Sequence, residues 1–292
     1  FAFISHTGQV QTCGFLETEG FQVSYCDVDR HGMVDPATVR RAINRNTGLI
    51  SIMHANNEVG TINPVAAIAA IAREHGIVFH SDAVQAFGKI PVRVGDLDVD
   101  LLSLSAHKIY GPKGIGALYI RKGVEIERFV HGGGQERGRR AGTENVPLAV
   151  GFARAASLIH EQMEDEQRRL SVLKGTLRAM LEERLPGILF NGHPTISLPH
   201  ILSVSFSSDA MELDGEALLF NLDLAGIAVT SGSACTSGRI EPSHVLLAMG
   251  RDLPTAKASV RFSFGRGTTE EDLASAASAL RAVVERIGVR PR

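Results

Sequence analysis

Apolar positions along this chain recur in two patterns. Short runs at residues 1–4, 49–54, 77–80, 101–104 and 116–120 have the length and composition of strands buried on both faces. Residues 64–75 instead repeat their apolar side chains at helical spacing. Asn63 is placed to cap that helix, Pro64 suits its first position and Gly76 suits its exit. Asp35-Pro36 opens another helix in the same way. Strands alternating with helices of about a dozen residues predict right-handed βαβ units and a mostly parallel sheet. From residue 147 to 185 the pattern becomes one long helix with Glu, Gln and Arg on one face. After Pro186 it predicts a strand at 201–206, a helix at 211–222 and a closing strand–helix pair from Ala258. The expectation is an α/β chain with a large parallel-sheet domain over 1–160 and a smaller α+β domain over 161–292.

Composition narrows the classes. A 44% hydrophobic content over 292 residues with a net charge of −2 describes an ordinary globular protein. It carries no excess of Lys and Arg that would favour nucleic acid or an anionic membrane. No apolar run approaches the roughly 20 residues that span a bilayer. Cys13, Cys26 and Cys235 are odd in number and widely spaced, so they suggest neither a disulfide framework nor a metal site. A reducing cytoplasm fits them best. The opening Phe1-Ala2-Phe3-Ile4 has no signal-peptide character and reads as a strand entered mid-fold, so further sequence is expected before it.

Open parallel sheets bind ligands outside the carboxyl ends of their strands. Ser5-His6 follow the first run, Asn56-Asn57-Glu58 the second, Ser81-Asp82-Ala83-Val84-Gln85 the third and Ser105-Ala106-His107-Lys108 the fourth. Each alone is ordinary, since an aspartate after a strand is commonly a cap and a loop lysine is commonly solvated. Together they bring imidazole, carboxylate, amide and amine groups to one edge. That set matches the needs of pyridoxal phosphate (PLP). The PLP aldehyde takes a lysine as a Schiff base, its ring nitrogen calls for a carboxylate, and hydroxyls with backbone N–H groups hold its phosphate. Lys108 and Asp82, on sequential strands, can reach opposite ends of one planar ring, and Gln85 its phenolic oxygen. The glycine-rich run from Gly111 to Gly116 lacks P-loop spacing and follows the lysine, so it reads as a tight turn.

The run Ser231-Gly232-Ser233-Ala234-Cys235-Thr236-Ser237-Gly238 sets one thiol among small residues. Structural cysteines usually pack among larger apolar neighbours. Two readings stay open from these residues alone: a nucleophile on a mobile loop, and a Gly/Ser turn that contains a cysteine.

Beyond these single features, Ser105-Ala106-His107-Lys108-Ile109-Tyr110-Gly111-Pro112-Lys113-Gly114 resembles the PLP-lysine motif of the cysteine desulfurases, in aminotransferase class V of the fold-type I PLP enzymes. Met53-His54-Ala55-Asn56-Asn57-Glu58-Val59-Gly60, His80-Ser81-Asp82-Ala83-Val84-Gln85 and His131-Gly132-Gly133-Gly134-Gln135-Glu136-Arg137-Gly138 are similar to motifs of the same family. The 231–238 run followed by Glu241-Pro242-Ser243-His244 resembles the long cysteine loop of the NifS/IscS-type subgroup. The resemblance covers the chain from His6 to about Glu271.

The resemblance implies a fold-type I PLP transferase that converts L-cysteine to L-alanine and supplies sulfur for iron–sulfur cluster or thio-cofactor assembly. Lys108 would bind PLP and shuttle the Cα proton. Asp82 would pair with the ring nitrogen, Gln85 with the phenolic oxygen, and His6 would stack on the ring and assist proton transfer. Asn57 would contact cofactor and substrate, Ser105 and His107 the phosphate, and Thr143 the phosphate of the second subunit of a homodimer. Arg261 would take the substrate carboxylate, and Cys235 would accept sulfur as a persulfide for delivery to an acceptor or scaffold protein. The family's glycine/threonine phosphate-binding turn, upstream of the His6 strand, has no counterpart in this sequence. Two rivals share the other motifs: a class-V aminotransferase or selenocysteine lyase, which does not need Cys235, and a non-catalytic scaffold.

Overall fold

The computed structural model describes residues 5–231 and 241–289. The expected strand at residues 1–4 and Cys235 itself therefore lie outside the described residues. The chain opens with α1 (Thr7–Thr18) and α2 (Pro36–Ala42), the latter capped by the Asp35 carboxylate, which accepts from the Ala37 N–H at 2.9 Å. Then follow β1 (Leu49–Ser51), α3 (Val65–Glu74), β2 (Val78–Asp82), α4 (Val94–Leu97), β3 (Leu101–Ser105) and β4 (Gly116–Ile120). These strands form one sheet in the order β1-β2-β3-β4, with β1, β2 and β3 mutually parallel.

Three expectations need correction here. β4 runs antiparallel to β3 and is not buried on both faces: Gly116, Ala117 and Leu118 are exposed, because β4 is an edge reached by a tight return. Its glycine is required by that return, since a Cβ at Gly116 would sit 2.7 Å from the Leu104 carbonyl oxygen. Asn63 does not cap α3; its side chain accepts from the Val34 N–H and donates to the Met53 carbonyl, pinning two loops instead. The ladder of β1 is also short, although the amides of Ile52 and His54 still donate to the His80 and Asp82 carbonyls beyond its end.

After β4 comes α5 (Val146–Arg184), which runs unbroken through residue 160. Its first half packs Phe152 and Ile159 against Ala106 and Ile109, while Leu170, Leu173, Leu177 and Leu181 enter a separate core. At about 1.5 Å per residue its 39 residues span roughly 59 Å, enough to serve both cores. A second sheet, antiparallel throughout, is built from β5 (Ile188–Asn191), β6 (Ile201–Phe206) and, further on, β7 (Ser259–Ser263), in the order β5-β6-β7. The sequence pattern did not indicate β5, whose four residues are mostly half-buried. Between β6 and β7 lie α6 (Gly215–Leu224), α7 (His244–Ala248) and α8 (Leu253–Lys257); α9 (Glu270–Ile287) closes the chain. α6 starts four residues later than the pattern suggested, where Asp214 accepts from the Glu216 and Ala217 N–H groups. Among the described residues no helix is long and apolar enough to cross a membrane.

Candidate active site

The carboxyl ends of β1, β2 and β3 open onto a cleft of about 490 Å³. Lys108 reaches it from a single 3₁₀ turn, Ala106–Ile109, that follows β3. Ala106 and Ile109 are buried against α5, and this orients His107 and Lys108 outward. The turn closes through Gly111, where a Cβ would meet the Ala106 carbonyl oxygen at 2.9 Å. Lys108 makes no hydrogen bond or ion pair among the described residues. Desolvation by the cleft walls, followed by the charge of Arg261, pushes its ammonium below the ordinary lysine range. Beside it Ser105 Oγ and His107 Nδ1 share a hydrogen bond of 2.8 Å. Desolvation and the neighbouring Lys108 and Lys113 charges lower the His107 imidazole.

Asp82 ends β2. Its Oδ1 accepts from the Val84 N–H at 2.9 Å and its Oδ2 from Gln9 Nε2 at 3.3 Å. Two residues before it, His80 bridges the strands beneath, its ring nitrogens lying 2.7 Å from Ser51 Oγ and 2.8 Å from Ser103 Oγ. Gln85 lies in the turn after Asp82 and lines the same cleft. His6, also on the wall, caps α1: its Nδ1 accepts from the Gly8 N–H at 3.2 Å.

Arg261 enters from the opposite side, on β7. Its Nη1 donates to the Asn57 carbonyl at 2.9 Å, joining residues 204 apart in sequence, and its buried Nε has no partner among the described residues. Burial draws its guanidinium below the usual range, and the Glu58 carboxylate opposes that shift. Asn57 and Thr230 complete this wall. The cleft thus gathers His6, Asn57, Asp82, Gln85, Ser105, His107, Lys108 and Arg261. Thr143 does not line it and is exposed on the segment before α5. Cys13 and Cys26 are buried in the fold, where desolvation raises both thiols.

Sequence reasoning named Glu58 and Ser243 without giving either a part and overlooked Gln9. Glu58 is buried, accepts a short hydrogen bond from the Ser243 hydroxyl, and is raised by that burial against the pull of the Ser243 bond, His244, Arg261 and His6. The only signal for that contact is a polar residue in each of two segments 185 positions apart, so no local pattern reveals it.

A largely parallel sheet whose third strand delivers a lysine, followed by a small antiparallel sheet supplying an arginine, is the fold of the type I PLP-dependent transferases. Residues 4–275 match the family described as aminotransferase class V. The "Cysteine desulfurase IscS" of Dictyoglomus turgidum is 46% identical over 284 residues, covering 97% of this chain and 71% of that protein. A solved structure described as a NifS-like protein superposes with a TM-score of 0.88 at 38% identity, over 98% of this chain and 74% of the other. Another, SspA in complex with cysteine, gives a TM-score of 0.76 at 37% identity over 90% and 72% of the two chains. The chain belongs to the class-V aminotransferase family, in its NifS/IscS-type cysteine desulfurase branch.

Proposed function

We propose that this protein is a PLP-dependent cysteine desulfurase that converts L-cysteine to L-alanine and passes the sulfur to Cys235 as a persulfide. The observation that carries the reading is the convergence of Lys108, Asp82 and Arg261 on one cleft in a chain of this family. The residues present fit PLP. An amine with no partner among the described residues and a depressed pKa suits a Schiff-base lysine, and the Asp82 carboxylate stands on an adjacent strand to pair with a ring nitrogen. Gln85 serves the phenolic oxygen, while Ser105 and His107 serve the phosphate. PLP supplies an electron sink for the bond electrons released at the substrate's Cα.

The chain's own residues do the rest. The forked donors of Arg261, with Nε unengaged, take the substrate carboxylate and orient the molecule, with Asn57 beside it. Lys108, lowered by desolvation, is suited to accept the Cα proton and return it. His6 holds one wall of the cleft and assists proton movement. The Cys235 thiolate then attacks the substrate's sulfur: an S–S bond forms, the substrate's C–S bond breaks, and its electron pair stays with carbon, which is protonated to give alanine. The thiolate is oxidised to a persulfide and the substrate carbon is reduced, so the transfer balances with no outside oxidant.

The persulfide is handed to a sulfur-acceptor or iron–sulfur scaffold protein in the cytoplasm. Thr143, exposed on a polar glycine-rich segment, reaches the cofactor phosphate of a second copy, and the working unit is a homodimer; a monomer in sedimentation with PLP still bound overturns this. The 1–160 and 161–292 domains each hold one sheet, with α5 as a shared spine. Cys235→Ser tests the central reading, because serine is a poor nucleophile toward sulfur. The variant should keep PLP and bind L-cysteine yet produce no sulfide or persulfide, whereas Cys13→Ala and Cys26→Ala should retain turnover. Sulfide release by Cys235→Ser at the parental rate would remove the persulfide step.

A further inference from the structure

The strand that carries Arg261 also ends against the turn that carries Lys108. Four and five residues beyond Arg261, Gly265 and Arg266 meet Tyr110, which follows Lys108 by two positions. The Arg266 N–H donates to the Tyr110 hydroxyl at 3.1 Å, and the Arg266 guanidinium lies 5.1 Å from the centroid of the Tyr110 ring. From the large sheet's side, Lys89 Nζ lies 4.8 Å from the same centroid. Lys89 is 7% exposed and its ammonium makes no hydrogen bond or ion pair among the described residues; Glu166 is the carboxylate near enough to act on it. A desolvated ammonium is costly, and an aromatic face is one of few groups that offset it without a counter-ion.

Tyr110 itself is held in the left-handed region at φ 63°, which is disfavoured for a side chain of its size. Such a conformation persists where the surroundings over-determine it. The loop after β7 is braced for that task. Arg169 donates to the Gly265 carbonyl at 2.8 Å and the Thr268 carbonyl at 2.9 Å, and Arg266 Nη2 donates to Gln162 Oε1 at 2.7 Å. A Cβ at Gly265 would come within 3.3 Å of the Tyr110 hydroxyl.

We propose that Tyr110 is a positioning residue. Gripped by Lys89 and Arg266, it locks the Lys108 turn to the end of the Arg261 strand and so fixes the amine-to-guanidinium separation. An α-amino acid presents its Cα and its carboxylate one bond apart, so a slip of about 1 Å between the two lobes places one end wrongly. The proposal rests on the assignment of Lys108 and Arg261 given above.

The test uses the holoenzyme. Tyr110→Gly keeps a left-handed backbone but removes the ring, Lys89→Met keeps length but removes charge, and Lys89→Arg returns a cation. Tyr110→Gly and Lys89→Met should each lower kcat/KM for L-cysteine roughly tenfold or more. The chromophore and the apoprotein's melting temperature should stay close to the parent's, and Lys89→Arg should recover most of the loss. Binding gives an independent readout by spectroscopic titration: affinity for L-alanine, which spans both groups, should weaken, while that for ethylamine, which lacks the carboxylate, should not. Unchanged kcat/KM, a parallel change in the two affinities, or a loss that tracks the unfolded fraction overturns the proposal. Retention of the chromophore by Lys108→Ala would instead overturn the underlying assignment.

Discussion

Removing the Arg261 side chain isolates the term that the proposed function assigns to the substrate's carboxylate. Its guanidinium is largely desolvated before any ligand arrives, with one N–H on the Asn57 carbonyl and a buried Nε that has no partner among the described residues. The cost of taking that charge out of water has therefore already been incurred in folding, and an arriving carboxylate recovers part of it through charge-assisted bonds. Truncating one partner of such a buried, hydrogen-bonded charge pair costs about 2–5 kcal/mol. The open Nε and the two-pronged geometry place Arg261→Ala toward the middle of that range, about 3–4 kcal/mol, or roughly 10²–10³ in kcat/KM. Arg261→Lys keeps the charge but not the fork and should fall between the two. Alanine production at varied L-cysteine gives the kinetic value, and spectroscopic titration with L-alanine against ethylamine assigns it. The parent should prefer L-alanine strongly, and Arg261→Ala should show almost no preference. Should the variant discriminate between the two amines as well as the parent does, the carboxylate is bound elsewhere and the cleft has been oriented wrongly.

Lys108→Ala should abolish both the cofactor chromophore and turnover, while Lys113→Ala, altered in the glycine-rich turn, should keep them; absorbance spectra of the two variants decide between the lysines. Asp82→Ala should retain PLP bound to Lys108 yet lose roughly 10²–10³ in turnover, because one preorganised charged contact is worth about 3–4 kcal/mol in such a site. Turnover within a few-fold of the parent would reduce Asp82 to a cap for the Val84 N–H. Burial drives His54 down to about 4 and His200 to about 3, against roughly 6.5 in the unfolded chain. The unfolded state therefore binds more protons through that interval, and stability should fall as the pH drops from about 6.5 toward 4. Denaturant midpoints should shift accordingly, and His54→Leu should flatten the slope; an unaltered slope would show that other groups set it.

What the sequence determined by itself was local. Apolar runs and the turn chemistry of Asp35-Pro36 located most strands and helices, because side-chain periodicity records which face of an element meets the core. The residues after each run placed Asn57, Asp82, Gln85, Ser105, His107 and Lys108 at one sheet edge, since in a parallel sheet every carboxyl end points the same way. Their individual roles came from motif resemblance, not from spacing. Tertiary structure decided whatever depended on the order of strands and the docking of lobes. β4 looked like its parallel neighbours until its antiparallel edge position exposed it, and β5 was too short for its apolar residues to show a period. Arg261 meets Asn57 across 204 residues, Glu58 meets Ser243 across 185, and Arg266 meets Tyr110 across 156. Those contacts arise where the two lobes face each other across the cleft, and a periodic pattern carries information only about neighbours within a turn or a strand.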